Sequence, residues 1–164
     1  MVVSENLIIN IAFSVFILIM VYLNYYKLLK TNVGQCLSGL AIIISVMLLF
    51  FTNYNILDVA HFLYSNVYLV VVAFLSSNPY LLGLNILMLT FIISTRYYYK
   101  NCILESKRNN KGFFFKLFNY VKKNIWFWDT DYYYLVLLLV TCGRLLWLNR
   151  YQIVNRNKKN VSKN

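Results

Sequence analysis

A chain of 164 residues that is 60% hydrophobic and only 13% charged is too apolar for a soluble domain of its length, so the composition excludes a soluble enzyme and points to a polytopic membrane protein. The net charge of +11, from 16 Lys and Arg against 5 Asp and Glu, is grouped between and after apolar segments. That grouping assigns it to topology and anionic lipid head groups rather than to nucleic acid.

Met1 to Asn6 has no basic region, and no small-residue cleavage site follows, so the chain is expected to open with its first helix rather than a cleaved leader. Leu7 to Leu23 is apolar except for Asn10 and Ser14 and ends in Asn24-Tyr25-Tyr26-Lys27, residues suited to a membrane interface. This is the first predicted span. Lys27 and Lys30 make a short basic turn, and Cys36 to Phe51 is the second span. Its opening, Gly34-Gln35-Cys36-Leu37-Ser38-Gly39, is rich in small residues of the kind that let backbones approach closely. Thr52 to Asn55 is a polar turn. Asp58 and His61 follow at i, i+3 on one helix face. Two readings stay open for them, a proton relay and, more simply, a wet interfacial turn.

Ser65 to Ser94 carries no charge, and as one helix it would run about 45 Å, beyond the roughly 30 Å hydrocarbon core. The expectation is a single tilted third span, kinked where Pro79 removes an amide after Ser76-Ser77-Asn78. Two spans would need about 40 apolar residues, and Asn66, Asn78 and Asn85 interrupt the supply. The positive-inside rule argues the same way. It wants Lys27 and Lys30 on one side with the cluster from Arg96 to Lys123, which an even number of intervening spans provides. The kink's freed carbonyls need bonded water or a neighbouring subunit.

Arg96 to Lys111 is polar. Over Gly112 to Trp128 the apolar residues Phe114, Leu117, Phe118, Val121, Ile125 and Trp128 recur at three and four, a basic amphipathic helix for a membrane surface or a partner. Tyr132 to Leu148 offers a fourth span, although Arg144 sits within it. The expected fold is therefore all-α: a three-helix membrane core over 1–99, a basic loop and aromatic arm over 100–131, a further span over 132–150, and a structureless basic tail over 151–164. Cys36, Cys102 and Cys142 lack metal-ligand spacing and carry no assigned chemistry. There is no phosphate loop or Ser/His/Asp arrangement, and no cofactor is expected. Tyr, Asn, Ile and Lys are abundant and there is one Pro, a bias that A+T-rich codons produce, as in an organellar or similarly biased genome.

The order and spacing of the first three predicted spans resemble the 4L subunit of respiratory NADH:ubiquinone oxidoreductase (complex I), over about residues 6–98. Cys36-Leu37-Ser38-Gly39 stands where that family has a Cys/Ser-Leu-Glu-Gly-like sequence. Gly83-Leu84-Asn85-Ile86-Leu87 matches its third span, with Pro79 at the place of a second glutamate and Asn78 beside it. The resemblance implies a membrane-arm subunit supporting proton-coupled electron transfer from NADH to ubiquinone. It further implies other membrane subunits as partners and the mitochondrial inner membrane as location. Both family glutamates are replaced by groups that cannot ionise. Ser38, Ser77, Asn78, Pro79, Asp58 and His61 are the candidate proton-path or hydration positions. The alternative is a structural subunit of another organellar respiratory or ATP synthase complex. A free transporter or channel fits less well, because few ionisable groups lie within the spans.

Overall fold

The computed structural model describes residues 5–29, 31–99, 116, 120 and 130–161. Every regular element among them is a helix. The first, α1 (Glu5–Tyr25), is apolar almost throughout. It closes through Lys27, whose left-handed backbone (φ 52°) lets Leu28 N–H reach Leu23 O at 2.9 Å and Lys27 N–H reach Asn24 O at 3.0 Å. That pair of bonds is the Schellman closure, usually given to glycine. Thr31 caps α2 (Asn32–Phe50), its hydroxyl accepting from Gly34 N–H at 3.0 Å. The two glycines of this opening make no close approach to another helix. A Cβ on Gly34 would meet the Thr31 hydroxyl at 3.1 Å, and one on Gly39 would meet open space.

After an Asn53 cap, α3 (Tyr54–Phe62) passes through a π-helical stretch, Leu63–Tyr68, into α4 (Leu69–Leu75) without a break. Within this rod Ser65 donates to His61 O at 2.8 Å and Asn66 to Phe62 O at 3.4 Å. These are the local bonds that suit a loosened helical ladder. Phe13 and Phe16 of α1 meet Tyr64 edge-on, with centroids 5.3 and 6.0 Å apart.

The expected single kinked helix is instead a hairpin. Leu75 ends α4, and α5 (Pro79–Tyr99) runs back, so that Asn85 Nδ2 donates to Leu69 O at 3.2 Å across sixteen residues. On one continuous helix those residues would lie about 24 Å apart. Pro79 takes the first position of a helix, where a missing amide costs nothing. Asn78 is that helix's cap, its Oδ1 accepting from Tyr80 N–H at 2.9 Å and Leu81 N–H at 3.3 Å. The chain finds the length for two spans because the first of them begins at Tyr54. With Leu7–Tyr25, Asn32–Phe50, Tyr54–Leu75, Pro79–Tyr99 and Tyr132–Val154, five helices are long and apolar enough to cross a membrane. Lys27 therefore lies at the end of the bundle that holds the Ser76–Asn78 turn, and Arg96 at the opposite end.

The final helix, α6 (Thr130–Val161), packs chiefly along α5 and next along α4. Tyr133 Oη donates to Ser65 O at 3.1 Å and Arg144 Nη2 to Ser76 O at 2.9 Å. Equal separations on the two helices set α6 parallel to α4. It does not stop at 150 but continues as helix through the expected structureless tail to Val161. The amphipathic arm over 112–128 lies outside the described residues except for Lys116 and Tyr120, both helical and exposed.

Candidate functional site

Three polar groupings hold this bundle. At the turn end, Asn78 joins two turns: besides capping α5 it donates through Nδ2 to Leu28 O at 3.0 Å, and its own N–H reaches Ser76 Oγ at 3.2 Å. Ser76 is buried and its carbonyl takes the Arg144 guanidinium, while Ser77 faces outward. Of the backbone groups at this break, the Ser76 carbonyl and the Asn78 amide are thus met by protein atoms. One turn further in, Ser38 is fully buried and accepts from Asn24 Nδ2, which also donates to Met20 O at 3.0 Å.

In the middle of the hairpin, Asn85 divides its amide between Leu69 O and Thr141 Oγ1, each at 3.2 Å, and Thr141 donates to Leu137 O at 2.7 Å. Asn85 and Thr141 are both buried, and Asn85 Oδ1 is left without a partner. This grouping ties α4, α5 and α6 at one level. Sequence reasoning read Asn85 as an interruption. The signal for its partner was Thr141 three residues before Arg144, the two polar side chains of one face in an apolar run.

At the opposite end, Asp58 is buried rather than wet, only 1% exposed, which corrects the simpler of its two readings. His61 is half-buried and lines a cavity of about 20 Å³ with Tyr64, Ser65, Thr95, Arg96 and Tyr134. That is close to the size of one water molecule and far below the roughly 300–1,000 Å³ of a ligand pocket. The Arg96 guanidinium lies 5.9 Å from the centroid of the Tyr134 ring, a cation–π contact. Tyr64, though buried, leaves its hydroxyl unpartnered. The six sequence candidates therefore fall into two sets at opposite ends. Ser77, Asn78 and Pro79 share the turn end with Ser38 close by, and Asp58 and His61 share the other. Among the described residues, no group of three or more His, Cys, Asp or Glu could hold a metal ion.

Compared with protein-family models, with curated proteins and with solved structures, the chain gives no match.

Proposed function

We propose that this protein is a structural membrane subunit of an organellar respiratory assembly, contributing a five-span helical scaffold rather than a redox or substrate-binding centre. One observation carries the reading. Four polar side chains within the spans, Ser38, Asn85, Thr141 and Arg144, bond within the chain and tie helix to helix. Intramembrane polar groups that mark a substrate or ion pathway face a water-filled cavity instead. Groups already committed to one another specify packing, which is what a scaffold needs.

The membrane arm of complex I is a second reading, favoured by Ser38. The residue at the place of the 4L family's first glutamate is fully buried and bonded to an amide from the neighbouring helix. Four membrane-length helices over residues 7–99, where the resemblance implies three, weigh against it. Extraction of the native membrane with a mild detergent, followed by native electrophoresis and identification of co-migrating chains, separates the readings. ATP synthase or other respiratory subunits support the first, quinone-reductase subunits the second. Migration as a free chain overturns both.

A further inference from the structure

Arg144 is a charge that the chain does not balance. It stands half-buried within the apolar run of α6, and among the described residues its guanidinium bonds only Ser76 O, through Nη2 at 2.9 Å. A guanidinium carries five N–H donors in a planar fork, which leaves the rest of the fork for another acceptor. The sequence supplies no anion for it. Of the five acids, Glu5 opens α1 and Asp58 lies near the start of the rod that ends at Leu75, both at the opposite end of the bundle. Glu105, Asp129 and Asp131 fall between α5 and Tyr132, on a connection that leaves α5 and enters α6 at that same opposite end.

The level of Arg144 is that of lipid head groups. The spans Leu7–Tyr25 and Tyr54–Leu75 end there and Pro79–Tyr99 begins there, with Asn78 bonded to Leu28 beside Lys27. Tyr25, Tyr26, Lys27 and Tyr80 are exposed around it, the residues of a membrane interface. Beyond this level α6 runs on to Val161, and Leu148 is its last buried residue among those described. Next to the carbonyl that Arg144 takes, Ser77 is exposed and offers a hydroxyl. Phe74 and Leu75, which precede it in the span, are exposed and apolar. A forked cation and a hydroxyl at head-group depth, with apolar side chains on the membrane side of them, fit a phosphodiester above its acyl chains. A zwitterionic lipid brings its own cation and leaves Arg144 unbalanced, whereas an anionic one balances it.

We infer that Arg144 and Ser77 seat the phosphate of an anionic phospholipid between the end of α4 and α6, with its acyl chains along Phe74 and Leu75. This rests on the reading of the helices as membrane spans. The test uses the full chain carrying Trp126→Phe and Trp128→Phe, so that Trp147, exposed and three residues from Arg144 on the same helix, is the only indole. It is placed in phosphatidylcholine vesicles containing either brominated phosphatidylglycerol or brominated phosphatidylcholine, and bromine quenches the indole on contact. The expected result is a preference for phosphatidylglycerol of roughly fivefold, kept in high salt because a half-buried charge is little screened. Arg144→Gln, which can still donate to Ser76 O, should bring the preference to about one, whereas Lys27→Gln should leave most of it. Excess inorganic phosphate should change nothing, and displacement of the lipid by it would make the ligand free phosphate and overturn the lipid. Equal quenching by the two lipids, or a preference lost in high salt, overturns the seat without any variant at Arg144 and leaves the membrane reading standing. A preference that Lys27→Gln lowers as far as Arg144→Gln belongs to diffuse surface charge and overturns it too. No quenching by either lipid overturns the membrane reading of α6 and the seat with it.

Discussion

The two ends of the bundle are held by different physics. At the turn end, Asn78, Ser76 and Arg144 join the α1–α2 turn, the hairpin turn and α6 through hydrogen bonds of 2.9 to 3.3 Å. At the other end, where Tyr133 donates to Ser65 O and Arg96 lies over the Tyr134 ring, α1 meets the π-helical stretch through the rings of Phe13, Phe16, Tyr64 and Tyr68. The difference follows from backbone. A tight turn exposes amides and carbonyls that must be paired, whereas the rod through the π stretch runs without a break and meets α1 through side chains.

The broadest way to break this comparison is to ask whether the ends are on opposite sides of the membrane. With Cys36 and Cys142 replaced by Ala, an impermeant thiol reagent should reach Thr31→Cys from one side and the native Cys102, three residues past α5, only from the other. Labelling of both from one side would restore the single kinked helix. Next in size is Asn78→Ala, which removes the α5 cap and leaves Leu28 O unpaired. A loss of about 2–3 kcal/mol is expected in reversible unfolding in mixed micelles. Phe13→Ala, at the ring-packed end, should cost about 1–2 kcal/mol in the same assay. Lipid solvates the exposed ring as well as protein does, so packing is what is lost there. A Phe13→Ala cost above that of Asn78→Ala would reverse the ranking of the two ends. Smallest is Tyr64→Phe, which deletes a buried hydroxyl that has no partner. Stability should change by less than about 0.5 kcal/mol or rise slightly, and a large loss would mean that the hydroxyl has a bonding partner after all.

Much of the architecture was legible in the residues themselves. Apolar run length located the first two helices and the core of the last, and Asn24-Tyr25-Tyr26-Lys27 marked the end of α1. Ser76-Ser77-Asn78-Pro79 was recognised as a break but read as a bend, because Pro inside an apolar run and Pro at the first position of a new helix present the same letters. Counting charges reinforced the error, since the rule was applied to loops whose sides depend on the very count being sought. Of the candidate positions, Asn78 and Ser38 do make contacts between elements, but the partners Leu28, Arg144 and Asn24 belong to other segments.

Composition and local pattern by themselves determined that this chain forms apolar helices of membrane length, where they are interrupted, and which residues are fit to cap them. Those are properties of a few neighbouring residues and of the solvent they prefer. Only the tertiary structure decided that the interruption reverses the chain, that Asn85 lies against Leu69 and Thr141, and that α6 overruns the bundle beyond Arg144. Each depends on which apolar faces meet across long stretches of sequence, and a polar group among them takes its meaning from the partner that packing supplies.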